Sequence, residues 1–526
     1  MKFEHDWEND PVLEQKKRLI EENEQYWANK EHITCGDKWI YVYHGMSSNH
    51  FEWAVHENIA AKGLQKKTHF PIISVIDGHG RALPEGLDES FGIEEVVHLF
   101  YSKYLDESAQ KRIHETAEQF AESTYQKKEK LLQLEYRGIK FGDELYDTLL
   151  LKNWQNDEPT FDCFDFSMEQ YTHYIRGVLS LIDHTFELFS KKTPAYVITT
   201  EKMQLKRLFG DIARIFGAEE IIILNSPPDT LVSVPAETKD KKVMLSSCLH
   251  CVVEQHIQRK KLDQNDTAPI FLFHGKEKAV GKQEFLARLG IKNSNPNVFV
   301  LPHALIDIPR ENSLLYFYHD YLEWFSKTLE ILKETPAVNW IIKDHPMTAY
   351  YRQNKVIEKI FLEHRSSNMY WCDSGVGGAC IKDIADCVVT CGGEAALEYW
   401  AYGIPTITTA ATFFSGYGIS HNIKTQEEYE YMLRHISEAA KPSEESSKKA
   451  AQILLAMKEM SSCETEDQLV NLFMRTRKAQ MNSYYDGLSF QHVSAFCEGY
   501  RALLKEKGTL EKSCIYQLEN VSSISL

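Results

Sequence analysis

The second half of the chain alternates short apolar, β-branched runs with stretches of helical periodicity, and this alternation limits the fold more than any other feature. The runs are "PIFLFHG" (269–275), "NVFVLPHALID" (297–307), "VNWIIKDHP" (338–346), "NMYWCDS" (368–374), "DCVVTCGG" (386–393) and "IPTITTA" (404–410). Between them, "HDYLEWFSKTLEILKET" (319–335) carries Tyr321, Trp324, Phe325, Leu329 and Leu332 at helical spacing, the stripe of a buried helix face. "YRQNKVIEKIFLEH" (351–364) has the same character, and "EAALEYWAYG" (394–403) reads as a short helix closed by Gly403. Strand–helix–strand order with near-continuous apolar strands predicts a parallel sheet covered on both faces.

The first half repeats the pattern with more noise. Strands are expected at 38–44, 70–77, 194–200 and 220–225, and helices at 51–63, 103–135, 168–190 and 203–216. Gly138 and Gly142 break a long charged helix within 127–150. A chain of 526 residues exceeds one ordinary core. The expected fold is therefore α/β, with two Rossmann-like domains and a ligand cleft between them. The polar, proline-containing segment "SPPDTLVSVPAETKDKK" (226–242) marks the boundary. This predicts an N-terminal domain over 1–245 with a helical insertion, a C-terminal domain over 246–480 and a helical tail over 481–526.

Net charge is −17, which argues against broad electrostatic binding to nucleic acid but leaves room for a local basic cleft. No run is long and apolar enough to predict a membrane span, and "MKFEHDWEND" has no signal-like apolar core. The eleven cysteines form no framework, so buried free thiols in a reducing, cytoplasmic compartment are expected. "CLHC" (248–251) has ligand spacing, but one such pair does not make a structural zinc site.

In open α/β sheets ligands sit beyond the carboxyl ends of the strands, so unusual residues there are the candidates. After "CVVTC" come Gly392 and Gly393, which favour a sharp turn and close backbone approach to a ligand. The helix expected from Glu394 would offer free N–H groups to an anion, with Glu398 placed to reach a ribose or sugar diol. Lys343, Asp344, His345 and Pro346 end another strand. Proline stops it, and the histidine can donate to a phosphate oxygen or move a proton. Simple alternation sends Lys343 to the other face. His303 and Asp307 close a third strand as further ligand contacts. His44, in "YVYHGMSS", and Asp77 with His79, in "SVIDGHG", end first-half strands and could flank an acceptor or phosphate loop. Neither phosphate-loop nor dinucleotide fingerprint is present at the Gly-Gly turn.

These stretches together resemble bacterial surface-polysaccharide transferases of the GT-B glycosyltransferase class, including the Kdo transferases. Gly392, Glu398, Gly403 and Pro405 are similar to that class's nucleotide-sugar signature; Glu394 stands where many members carry a small or hydroxyl residue. "KDHP" resembles the HP motif that contacts the CMP phosphate in Kdo transferases and CMP-using sialyltransferases. His303, Asp307, Asp320, Tyr321, Trp324, Thr328 and Leu329 match an "H…D…DYxxWxxxTL" segment. "YRGIKFGDELYD" resembles "GIxxGDLIYD", with Gly138, Gly142, Asp143, Tyr146 and Asp147 matching.

The resemblance implies a glycosyltransferase that moves a sugar from a nucleotide-activated donor to a glycan or glycolipid acceptor in capsule or lipopolysaccharide synthesis. It tilts the donor towards a CMP-linked sugar such as Kdo or another nonulosonic acid. It implies donor contacts from Lys343, His345, Pro346, Gly392, Gly393, Glu394, Glu398, His303 and Asp307, and catalytic roles for His345, Asp143 and Asp147. It implies no metal or other cofactor, the nucleotide-sugar being a substrate, and it leaves room for peripheral association with the inner membrane face. Rival expectations are a CDP-alditol phosphotransferase of teichoic-acid type, a non-catalytic nucleotide-sugar-binding subunit, and a UDP-sugar epimerase.

Overall fold

The computed structural model describes residues 12–28, 33, 35–44, 51–77, 84–93, 95–99, 105–154, 163–200, 206–224, 230–236, 241–265, 267–271, 281–306, 310, 314–345, 355–372, 376–462, 468–469, 471–473, 475–476, 491–506, 510, 512 and 522–523. The chain forms two compact units. One comprises Met1–Lys241 with Ser461–Leu526, and the other Lys242–Met460.

The first unit is built on strands β1 (Trp39–His44), β2 (Ile72–Asp77), β3 (Glu95–Leu99), β4 (Pro194–Thr200), β5 (Glu219–Leu224) and β6 (Thr230–Val234). Their order is β6-β5-β4-β1-β2-β3, with Ser522–Ser523 added outside β6. All neighbours run parallel except β5 and β6. Strand β6 lies inside the segment expected to be a linker, and β3 was not anticipated; both are near the sheet edge, where the apolar pattern is weak. Helix α1 (Leu13–Trp27) precedes the sheet. α2 (Phe51–Thr68) follows β1 and is buried over most of its length.

Between β3 and β4 lies a helical insertion of α3 (Glu107–Thr124), α4 (Gly142–Trp154) and α5 (Met168–Lys191); α6 (Lys206–Ile215) follows β4. The helix expected over 103–135 ends at Thr124, because Gln126 adopts a left-handed φ of 57°. A two-residue hairpin, Glu135–Tyr136 with Ile139–Lys140, then turns at Gly138, whose φ is 81°. Gly142 opens α4 where the chain crosses itself. A Cβ there would stand 2.3 Å from the Leu131 carbonyl oxygen and 2.6 Å from the Leu132 carbonyl carbon. These are backbone atoms and cannot swing away. Gly142→Ala is expected to cost about 3 kcal/mol, the upper end for overpacking. An unchanged denaturant midpoint would show that the hairpin yields.

The C-terminal segment is not a separate tail. Its helix Gln491–Lys505 packs on α1 and α2. Tyr500 Oη donates to Asn23 Oδ1 at 2.8 Å, and Arg501 pairs with Glu22. The expected domain end at 480 therefore moves back to Met460.

The second unit carries β7 (Asn297–Val300), β8 (Asn339–Lys343), β9 (Met369–Cys372), β10 (Cys387–Val389), β11 (Thr406–Thr408) and β12 (His421–Asn422). Their order is β9-β8-β7-β10-β11-β12, all parallel. This is the doubly wound order, in which the progression of strands across the sheet reverses between the first and fourth strands. Residues 269–271 of the first expected run are not in a strand, and 272–275 lie outside the described residues. α7 (Tyr321–Leu332) begins where Asp320 accepts the Glu323 N–H at 2.7 Å, and it buries Tyr321, Trp324, Phe325, Leu329 and Leu332 as the spacing predicts. α8 (Ala395–Ala401) ends at Gly403, with φ of 78°. Both units are thus Rossmann-like α/β layers, as the alternation requires.

Candidate functional site

In the second sheet the reversal falls between β7 and β10, so the crevice for a ligand opens at their carboxyl ends. β7 continues as an extended segment: Leu301 N–H donates to Val389 O at 2.9 Å, and His303 follows. β8 ends in Lys343, and Asp344 N–H still donates to Cys372 O of β9 at 2.9 Å. His345 comes next. Adjacent strands put His303 and His345 side by side, with ring centroids 5.7 Å apart and planes at 21°. Tyr321, the first residue of α7, stacks on His303 at 4.4 Å and 11°. The sequence assigned Tyr321 to a core stripe; it is buried, but its ring also supports this histidine.

Lys343 does not turn away from His345. The strand ends at Lys343, and the Lys343 charge lies close enough to act on the His345 imidazole. Burial, then the neighbouring His303 and Lys343 charges, push the His345 imidazole down to about 3. Lys343 itself is only 6% exposed. Its Nζ donates to the Asp344 carbonyl oxygen at 3.4 Å, and no carboxylate among the described residues lies within 4.0 Å of it. Asp344 accepts the His345 backbone N–H at 2.9 Å.

The Gly-Gly turn also serves the packing of the protein's own strands. Neither Gly392 nor Gly393 is in the left-handed region. A Cβ on Gly392 would meet the Ala410 Cβ at 3.0 Å, so this glycine admits the protein's own neighbouring strand. Helix α8 starts at Ala395 rather than at Glu394 and has seven residues, too short for a strong terminal dipole. Glu394 is half-buried at its N-cap without a capping side-chain bond. Glu398 is only 8% exposed, among Ala396, Leu397, Tyr399 and Trp400. Two strand spacings, roughly 10 Å, separate the β8 and β10 ends, a span suited to a phosphate at one and a sugar at the other. Asp307 and Pro346 lie outside the described residues.

In the first unit Asp143 and Asp147 both fall on α4, inside the helical insertion. Asp147 is fully buried and Asp143 half-buried. Between them Glu144 pairs with Arg207 Nη1 of α6 at 2.9 Å. Of the two expected proton acceptors, only Asp143 has an approach from solvent.

His44, expected beside an acceptor loop, is instead locked inside the unit. Its Nδ1 donates to Glu57 Oε2 at 2.5 Å and its Nε2 to Asp88 Oδ1 at 3.1 Å. Asn58 and Ser74 also donate to Asp88, and Thr200 Oγ1 to Glu57. Burial opposes the charge, but the Asp88 and Glu57 carboxylates outweigh it and raise the imidazole to about 10. The available signal was a strand-ending histidine followed by a helix with inward-facing Glu57 and Asn58. The loops after His44 and Asp77, with His79, lie outside the described residues.

Among the described residues no group of three His, Cys, Asp or Glu side chains could hold a metal, and no helix is long and apolar enough to cross a membrane. Cys372, Cys380, Cys387 and Cys391 are buried free thiols, as expected, and so are Cys163 and Cys497, whereas Cys35 is exposed and Cys251 half-buried.

No protein-family model matches the chain, and no curated protein matches it. Among solved structures it is similar to the KpsC beta Kdo 2,7 transferase of Thermosulfurimonas dismutans, at 14% identity over 52% of this chain and 80% of that one, with a TM-score of 0.28. It is similar to the spinosyn rhamnosyltransferase SpnG complexed with thymidine diphosphate, at 11% identity over 84% of this chain and 100% of that one, TM-score 0.27. It is also similar to the UDP-GlcNAc 2-epimerase of Neisseria meningitidis, at 11% identity over 80% and 99%, TM-score 0.21. The α/β assignment rests on the two sheets themselves, one parallel and one parallel but for the β5–β6 pair, whose order and register are given above.

Proposed function

We propose that the protein is a GT-B-type glycosyltransferase whose second unit binds the phosphate of a nucleotide-activated sugar at the carboxyl edge of its sheet. The observation that carries this is Lys343: an almost fully buried lysine with no carboxylate partner among the described residues, at a strand end beside two histidines. A buried charge is normally paired, because desolvation costs several kcal/mol per ion. An anionic ligand supplies the missing partner.

In this reading Lys343 offsets the charge that develops on the departing phosphate, and His345 donates a hydrogen bond to it. Asp143 is the candidate to take the acceptor hydroxyl proton. The KDHP resemblance supports a CMP-linked donor of the Kdo or nonulosonic type, and a cell-surface glycan as acceptor, assembled at the cytoplasmic membrane face.

A thermal-shift panel with CMP, CDP, UDP and GDP tests the reading. A ligand that binds only the folded state at a hundred times its Kd adds about 2.7 kcal/mol. A shift with CMP alone is expected. A shift with UDP or GDP instead would keep the phosphate site and replace the donor. Binding without sugar transfer to any acceptor would favour a non-catalytic subunit. No shift from well-folded protein would remove the nucleotide reading.

A further inference from the structure

We propose that Arg112 of α3 and Arg137 of the hairpin turn, both held by Asp183 of α5, form a binding site for an oxyanion, the phosphate or carboxylate of a larger ligand. The site lies on the helical insertion of the first unit. It is therefore independent of the phosphate site proposed at Lys343, and the two stand or fall separately.

Asp183 lies in the second half of α5, with its side chain only 2% exposed. Arg112 Nη2 donates to its Oδ2 at 3.0 Å, Arg137 Nη1 to its Oδ1 at 2.8 Å and Tyr136 Oη to its Oδ2 at 3.1 Å. Both oxygens of the carboxylate are thus engaged by groups from two other elements. The guanidiniums are not used up by this. Each carries five N–H donors, and the Arg112 and Arg137 side chains remain 55% and 43% exposed. Besides Asp183, Arg112 bonds Tyr136, and Arg137 lies over the Phe186 ring, 4.0 Å from its centroid. No second carboxylate among the described residues lies within 4.0 Å of either guanidinium. Asp106 feels the Arg112 charge, but its own carboxylate is engaged by the Ala109 N–H and the Ser108 hydroxyl.

Stability alone does not explain this arrangement. Half-exposed ion pairs contribute little, and an apolar side chain at a buried helix position is often as stable as a paired charge. Arg137 also stands where its backbone is costly. It has a φ of 53° and Gly138 a φ of 81° in a two-residue hairpin turn, a pair of positions that Asn-Gly fills with least strain. The chain keeps an arginine there, so the position is held for its side chain. The bond to Asp183 and the contact with Phe186 fix the guanidinium plane, which orients its outer edge before a ligand arrives. The cluster carries one net positive charge in a chain of net charge −17. Two fixed forks with exposed edges match the oxygens of a phosphate or a carboxylate.

The test is isothermal titration of the full-length Lys343→Met protein, which lacks the second unit's proposed phosphate ligand, with inorganic phosphate and with glucuronate at constant ionic strength. The better probe is expected to bind with a Kd on the order of 1 mM, as two exposed charge-assisted contacts allow. Arg112→Gln and Arg137→Gln in this background should each weaken binding about tenfold. Melting curves check that each variant folds. Should a glutamine variant not fold, Arg112→Lys carries the test: it keeps the charge and a partner for Asp183 but loses the fork, so binding should weaken while the melting temperature stays near that of the parent. Preference for phosphate assigns a phosphate-bearing ligand and preference for glucuronate an acidic sugar; either supports the site. Binding that is unchanged in the folded arginine variants would overturn it. So would the absence of binding by both probes at about a hundred times the expected Kd.

Discussion

Replacing His44 by alanine is expected to destabilise the first unit by about 3–5 kcal/mol, the cost of leaving buried carboxylates without their cation. His44 is fully buried at the end of β1, between Glu57 of α2 and Asp88 of the turn before Glu89–Phe91. The two carboxylates also take hydrogen bonds from Asn58, Ser74 and Thr200, which brings β1, β2, β4 and α2 into one network. Removing the ring opens a cavity and strands net negative charge in the interior.

The pH dependence follows from the direction of each shift. His44 is raised from 6.5 to about 10, so its contribution is complete below about pH 6.5 and is lost as pH rises towards 10. Asp88 is lowered: burial opposes this, but the His44 charge and the hydrogen bonds prevail. Its contribution is present above the ordinary carboxylate range and is lost as pH falls below it. Between about pH 6.5 and 10 the native protein should lose up to about 1.4 kcal/mol per pH unit from His44, relative to His44→Gln. Parallel pH–stability curves for the two proteins would show that the ring is uncharged.

Lys343→Met is expected to act in the opposite sense on stability. Without ligand, it removes the charge of an almost fully buried lysine and leaves an apolar chain of similar length, so the second unit should be as stable or more stable, by up to about 1–4 kcal/mol. Nucleotide affinity should fall about a hundredfold, as a charge-assisted bond is worth about 1.5–3 kcal/mol. A group held for binding at the expense of folding shows this pairing of effects. Lower stability with unchanged affinity would mean that Lys343 has a structural partner, and the phosphate site would have to be sought elsewhere. The measurements needed are a denaturant curve of ligand-free protein and a titration with the best nucleotide of the panel.

The strands of the second unit were legible because parallel strands buried on both faces read as unbroken apolar runs: "NVFV", "NWIIK" and "CVV" are buried at every position. The α7 stripe and the Gly403 stop were legible for the same local reason, since period and φ preference belong to a few consecutive residues. Edge elements escaped: β3 is half-exposed, and β6 hides in a polar, proline-bearing stretch. The Gly392–Gly393 turn was recognised, but the packing of Gly392 against Ala410 was not. Whether a missing Cβ makes room for a ligand or for Ala410 depends on a strand that the turn itself does not contain.

The sequence by itself determined the alternation of elements, hence parallel sheets with helices on both faces, and it placed Lys343, His345, His303 and Gly392 at strand ends. Periodicity and turn chemistry are short-range, so one stretch of chain suffices to state them. Only the tertiary structure decided the strand order that puts His303 beside His345 and Tyr321 against His303. It alone returned residues 461–526 to the first unit. It alone paired His44 with Asp88 44 residues away, and Glu57 with Thr200 143 residues away. Charge and burial act through space, and the chain must fold before those neighbours exist.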